Sequence, residues 1–126
     1  MYATAHIAGH TIEGKVRGTE MLYQQVCKLL EKPCELKLES FIQAPECSVL
    51  TADTSLCVQS QIAELVFKVY DVRQDDLDFR ERVITPGQFE YIRKHYAIRR
   101  EFAAMQVNAG NSVASEAIYG LGFRSV

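Results

Sequence analysis

The sequence predicts an α+β fold: a small antiparallel sheet with an N-terminal helix and a long C-terminal helix packed on one face, and a short terminal helix. Short runs alternate between apolar and polar residues, as half-buried strands do. Two longer segments instead repeat apolar residues at the helical period. No linker, repeat or low-complexity tract divides the 126 residues, so we expect one α+β domain over residues 1–126.

The N-terminal part predicts two strands followed by a helix. Residues 2–16 are rich in Thr, Ile and Val and are broken by glycines, which indicates two strands with a turn near Gly9. Thr19 is a suitable N-cap for the helix that follows, and Pro33 stops it. The apolar stripe of this helix comprises Leu22, Val26, Leu29 and Leu30.

The central part predicts further strands. Residues 34–42 alternate leucines with charged residues and read as an unpaired edge strand, and residues 47–52 supply a plausible return strand. Residues 62–71 fit either a helix or a strand. Four β-branched or aromatic residues within 66–70 favour the strand, which would form a hairpin with residues 77–83 across a polar turn.

The strongest local pattern lies in residues 84–105, which predict one long helix. Thr85 is a good N-cap, Pro86 suits the first helical position, and Ile84 with Phe89 makes a hydrophobic staple. The helical period predicts a stripe that lies on the sheet. Its members are Tyr91, His95, Ile98, Phe102 and Met105.

Basic residues fall on or beside the opposite face of that helix. They predict an electropositive surface for phosphate or an acidic partner, and the alternative is a solvated face on which Glu90 pairs with Lys94. The candidate partner- or phosphate-binding residues, with one more near the end of the chain, are Arg93, Lys94, Arg99, Arg100 and Arg124.

Motifs for catalysis, cofactors and metals are not found in the sequence. There is no glycine-rich phosphate loop, G-x-S-x-G or H-E-x-x-H, so we expect no catalytic residue and no cofactor. His6 and His10 would align as ligands only on a helix, and His95 is interpreted as a structural histidine at the edge of the core. An acidic cluster is interpreted as an exposed turn without calcium; it consists of Asp71, Asp75, Asp76 and Asp78.

Composition points to a globular chain in the cytoplasm. Apolar residues make up 48% of the chain, which has 14 basic and 16 acidic side chains. There is thus no overall basic excess of the kind that favours binding to nucleic acid. No apolar run is long enough to span a membrane and no secretory leader is recognisable. None of the cysteines forms a C-x-x-C pair, which favours free thiols; they are Cys27, Cys34, Cys47 and Cys57. A thiol-dependent enzyme is the weakest hypothesis.

The last 38 residues are similar to part of the arabinose-regulator family of transcription activators, in which a linker helix precedes a helix-turn-helix. The matching residues are Gly110, Ser112, Val113, Ala117, Ile118, Gly122, Phe123 and Ser125. The resemblance implies a nucleic-acid-associated regulator. The alternative is a terminal amphipathic helix whose Ala117, Ile118 and Leu121 dock on the body.

Taken together, these patterns favour a small non-catalytic protein that acts through a homodimer or a protein partner. Six tyrosines exceed what a small core buries, and tyrosine is favoured at interfaces. The second hypothesis is the nucleic-acid-associated regulator with a partial helix-turn-helix.

Overall fold

A computed structural model describes residues 1–5, 7–37, 40–45 and 48–126. It has the α+β class that the sequence predicts, but the three-stranded sheet is parallel. Its strands are β1 (Val49–Thr51), β2 (Gln106–Asn108) and β3 (Arg124–Ser125), in that order across the sheet. Within the described residues, no helix is both long enough and apolar enough to cross a membrane.

The antiparallel prediction is wrong because helices, not tight turns, connect the strands. Parallel neighbours need a crossover of about a dozen residues or more. Between β1 and β2 the chain forms α2 (Val58–Val69), α3 (Val72–Arg82) and α4 (Gln88–Lys94). Between β2 and β3 it forms α5 (Ser115–Gly120), the predicted short terminal helix.

The core lies where the sheet meets α2 and α5. Leu65 of α2, Val107 of β2 and Ile118 of α5 are at most 1% exposed, and the ring of Phe123 stacks on that of Phe102 at 4.7 Å. Burying side chains of this size is the main stabilising contribution in a small domain. Small residues fill the spaces between them, among them Ala52, Ala109 and Ala114.

The first helix, α1 (Ile12–Leu29), begins earlier than predicted. The side chain of Thr11, not that of Thr19, caps it by accepting a hydrogen bond from the Gly14 amide at 2.9 Å. The two strands predicted within residues 2–16 are therefore wrong for the described residues. No strand is present in the described part of 34–42 either, whereas β1 lies within the predicted return strand 47–52; Cys47 lies outside the described residues.

Residues 62–71 belong largely to α2, and the hairpin predicted with 77–83 is wrong because that segment lies largely in α3. The helical spacing of Ile62, Leu65 and Val69 places all three against the core. Packing of that face outweighs the β-propensity of individual residues, which depends strongly on context.

The long helix predicted over residues 84–105 is wrong, since α4 ends at Lys94 and a single 3-10 turn, Phe102–Ala104, precedes β2. Gly87, not Thr85, is the N-cap of α4, at φ 83°. The predicted sheet-facing stripe does not exist as one face: Tyr91 is exposed and Ile98 is 80% exposed, while Met105 is buried. Tertiary contacts of Arg99 and Arg100, described below, override local helix propensity.

Candidate functional site

The candidate site is built around a turn that leads into α1. The His10 amide donates to the Ile7 carbonyl at 3.0 Å, and Gly9 adopts φ 67°, a left-handed conformation that glycine tolerates without strain. The Ile12 amide donates to the Arg99 carbonyl at 3.0 Å. This bond joins the beginning of α1 to the irregular segment that follows α4.

Arg99 is the centre of the site, and its side chain is only 10% exposed. Its Nη2 donates to Oδ2 of Asp75 on α3, and the same oxygen accepts a hydrogen bond from the Tyr70 hydroxyl at 2.8 Å. The guanidinium carbon lies 4.8 Å from the Tyr70 ring centre and 4.3 Å from that of Tyr96. Two rings and a carboxylate therefore fix the orientation of this guanidinium.

Next to Arg99, a second network holds residues 100 and 101 against α1. The Nε of Arg100 donates to Oε1 of Glu13 at 2.6 Å, and the Glu101 amide donates to the other Glu13 oxygen at 3.1 Å. Arg17 pairs with the Glu101 carboxylate at 2.7 Å. Glu13 is only 6% exposed, and such a buried carboxylate needs these partners.

These elements surround a cavity of about 380 Å³. Its wall includes Gly9, His10, Thr11, Tyr70, Arg99 and Phe102. The His10 ring packs edge-on against Tyr96 at 5.1 Å, and the Lys15 Nζ lies 3.4 Å from its Nε2. Burial, then Lys15 and Arg99, lower the pKa of His10, so it is neutral near pH 7.

Two tyrosine hydroxyls of the site also stay protonated. Burial and the hydrogen bond to Asp75 raise the pKa of Tyr70, and burial raises the pKa of Tyr96. The Tyr96 oxygen accepts a hydrogen bond from the Ala5 amide at 2.7 Å. The charged groups of the cavity at neutral pH are thus cationic side chains and carboxylates that already have cationic partners.

The structure distributes the five sequence-predicted site residues over different surfaces. Arg99 and Arg100 line the cavity. Arg93 and Lys94 both pair with Glu90 on α4, at 2.9 and 3.7 Å. Arg124, on β3, is exposed and borders a separate depression of about 490 Å³.

Sequence reasoning missed the residues that accompany Arg99. Tyr70, Asp75 and Tyr96 were assigned to core, turn or interface, and His10 was considered only as a metal ligand beside His6, which lies outside the described residues. These side chains come from three separate parts of the chain, at residue 10, at residues 70–75 and at residue 96. No spacing rule brings them together, because spacing reports only neighbours on one helix or strand.

The other sequence interpretations have clear outcomes. The acidic cluster is not an exposed hairpin turn: Asp71 caps α3, and the other three carboxylates lie on that helix and pair with arginines. His95 stacks on Tyr91 at 4.0 Å, and its Nδ1 lies 2.8 Å from the Tyr91 carbonyl oxygen. The side chain is exposed, so its predicted position at the edge of the core is wrong. Cys27, Cys34 and Cys57 are free, and the hydrogen bond with Ser60 lowers the pKa of Cys57.

No His, Cys, Asp or Glu cluster in the described ranges has three members placed to hold a metal ion. The segment that resembles a helix-turn-helix contains α5 and then leads into β3. Ile118 is buried and Leu121 is exposed. The segment thus contributes one helix and one edge strand to the sheet domain.

Known proteins that are similar to this chain share one name. The chain is 57% identical over 121 residues to the erythronate-4-phosphate dehydrogenase of Pseudoalteromonas atlantica, covering 96% of this chain and 32% of the relative. It is 46% identical to the enzyme of that name from Aeromonas salmonicida, covering 96% and 31%, and 38% identical to that from Serratia proteamaculans, covering 95% and 32%. The chain thus spans about a third of the length of these relatives.

These names overturn two sequence-based hypotheses. The relatives are named as enzymes, so the prediction of a non-catalytic interaction protein is wrong, and so is the prediction of a DNA-associated regulator. The helix-turn-helix resemblance rested on a glycine–phenylalanine corner and small helical residues, which here serve the packing of α5 and β3.

A family profile described as a domain of unknown function, DUF3410, matches residues 41–122, from just before β1 to the end of α5. The matched range contains the whole path from β1 through β2 and includes Tyr70, Asp75 and Arg99. The chain therefore belongs to the DUF3410 domain family.

Proposed function

We propose that this chain is a segment of an erythronate-4-phosphate dehydrogenase. The observation that carries the proposal is 57% identity over 96% of the chain to a relative of that name. The substrate in that name bears a carboxylate and a phosphate. Arginine is suited to both groups, and Arg99 and Arg100, each paired with a carboxylate, border the cavity.

A chimeric enzyme tests this proposal. The 121-residue segment of the Pseudoalteromonas atlantica relative that this chain matches is replaced by the present sequence, and oxidation of erythronate 4-phosphate is measured. We expect a rate within about tenfold of the parent enzyme, equivalent to about 1.4 kcal/mol in the barrier. A folded chimera that leaves erythronate 4-phosphate unoxidised, while the parent oxidises it, would contradict the proposal.

The proposal includes the organisation and compartment of the segment. Residues 1–126 are proposed to form one domain, which is supported by a single core that joins β1, α2, β2 and α5. The cytoplasm is the proposed compartment, because a reducing environment maintains free thiols such as Cys27, Cys34 and Cys57.

We also propose that the segment self-associates through α1. One face of this helix carries large apolar side chains that are 51–81% exposed, namely Leu22, Val26, Leu29 and Leu30. An apolar surface of this kind marks an interaction site. Two copies of one helix can cover each other about a two-fold axis, since such an interface is self-complementary.

A further inference from the structure

Two cysteines meet where the chain leaves α1. Cys27 lies in the last turn of the helix and is 7% exposed, whereas Cys34, just beyond the helix, is exposed. The two thiols are in hydrogen-bonding contact with each other, and each also contacts the hydroxyl of Tyr23, one turn earlier in α1. Thiols in contact meet the main geometric requirement of a disulfide, which cannot bridge cysteines that lie far apart.

The way in which α1 ends explains why the chain returns to the helix. The Lys32 amide donates to the Cys27 carbonyl at 2.9 Å, and the Glu31 amide donates to the Lys28 carbonyl at 3.3 Å. Glu31 adopts the left-handed conformation, at φ 52°. These two bonds around a left-handed residue form a Schellman motif, which ends a helix and turns the chain away from its axis. The residues that follow are thereby directed back along α1.

A further hydrogen bond fixes the returning segment on α1. The Glu35 amide, next to Cys34, donates to the Tyr23 hydroxyl at 3.2 Å. Pro33 restricts the backbone on the other side of Cys34, because its ring fixes φ. The fold thus holds the Cys34 sulfur beside that of Cys27, so that each thiol is at a high effective concentration for the other.

The two thiols differ in access, which assigns them different parts in an oxidation. Cys34 is open to a small molecule in solution, whereas Cys27 is buried and in contact with Cys34. Cys57 is also exposed, but its sulfur contacts the Ser60 hydroxyl oxygen, at 3.2 Å. An exposed thiol with a resolving thiol beside it is one feature of redox-sensing cysteines.

We propose that Cys27 and Cys34 form a reversible disulfide by exchange with small-molecule disulfides of the glutathione class. The Cys34 thiolate attacks one sulfur of the small disulfide, whose S–S bond breaks and releases one small thiol. The Cys27 thiolate then attacks the Cys34 sulfur of this mixed disulfide, displaces the second small thiol and closes the protein disulfide. The two protein thiols lose two electrons and two protons, and the small disulfide takes them up to become two thiols.

The state of the pair follows the ratio of small disulfide to small thiol. In a reducing environment both cysteines stay reduced, and the disulfide forms when that ratio rises. Desolvation and the neighbouring Cys27 thiol raise the pKa of Cys34; Glu20 adds to this effect and the Tyr23 hydroxyl opposes it. Less thiolate is therefore present at neutral pH, and the first step is faster in alkaline solution.

Peptide mapping by mass spectrometry tests the proposal. The folded chain is incubated with oxidised and reduced glutathione at about pH 8.5, near the pKa of an ordinary thiol, then alkylated and digested with trypsin. Cleavage after Lys28 and Lys37 places the two cysteines in separate peptides, residues 18–28 and 29–37. We expect these peptides to be linked, with the linked form at least about tenfold more abundant than the mixed disulfide with glutathione. Dithiothreitol should separate them again.

The unfolded chain is the control for the geometry. In concentrated urea the contacts are lost, and loops of similar length close with similar probability. The pair Cys27 and Cys34 is separated by seven positions and the pair Cys47 and Cys57 by ten, so the unfolded chain should form both disulfides in comparable amounts. If the folded chain prefers the first pair no more than the unfolded chain does, or yields only mixed disulfides, the proposal is overturned.

Variants separate the roles of the two thiols. Cys27→Ser leaves Cys34 without a resolving thiol, so peptide 29–37 should accumulate with one glutathione attached. In Cys34→Ser the buried Cys27 should react at least about tenfold more slowly than Cys34 does in the wild type. Cys57→Ser is the matched control and should leave the linkage unchanged. A Cys27→Ser chain that is folded by circular dichroism but leaves Cys34 unmodified would refute the proposed order of steps; if the variants fail to fold, the wild-type peptide map decides.

Discussion

Glu13 is the residue on which the architecture of the site depends most directly. Its carboxylate joins the first turn of α1 to Arg100 and to the Glu101 amide. The two side chains of the ion pair are 8% and 17% exposed. Removing one partner of a buried pair leaves the other charge without compensation, which is more costly than losing a surface pair.

We therefore expect Glu13→Gln to lower the free energy of unfolding by about 3 kcal/mol, the lower end of the range for a broken buried pair. Urea denaturation followed by circular dichroism measures it. Glu64→Gln is the matched control, because Glu64 pairs with Lys68 on the surface of α2 and should cost about 0.5 kcal/mol or less. If both variants lower the free energy of unfolding equally, burial of the Glu13 pair does not add to stability.

At the scale of elements, apolar spacing predicts a helix correctly even where the stripe does not pack as expected. The stripe Leu22, Val26 and Leu29 correctly predicted α1, although it faces solvent and not the sheet. The caps around Thr85 predicted a long helix, but buried pairs of Arg99 and Arg100 hold the following segment in an irregular, non-helical path. Local signals cannot report such contacts, because the partners lie far apart in sequence.

The helical assignment of residues 62–69 makes its own prediction. Leu65 is 1% exposed and packs in the core with β2 and α5, so Leu65→Ala should cost about 2–5 kcal/mol. Thermal unfolding measures the loss. Ile84→Ala, at a position 83% exposed, should change stability by about 0.5 kcal/mol at most. A loss at Leu65 no larger than that at Ile84 would contradict the packing of α2.

On the scale of the whole molecule, the cavity is bordered by residues of this chain, whereas the apolar face of α1 is exposed. The cavity is bordered by the turn before α1, by Tyr70, by residues 99–103 and by residues 121–122. The leucines and valine of the α1 face have no such cover. The α1 face requires a partner, which we propose is a second copy.

The oligomeric state tests that last proposal. Leu29 is 81% exposed, more than the other members of the apolar α1 face, so Leu29→Glu would place two like charges in a two-fold interface and desolvate them. Light scattering should give a dimer mass for the wild type and half that mass for the variant. Gln24→Glu adds the same charge on the opposite side of the helix and should leave the dimer intact. A wild-type chain that is monomeric at concentrations of about 0.1 mM, a weak limit for a specific interface, would leave the α1 face without the partner proposed here.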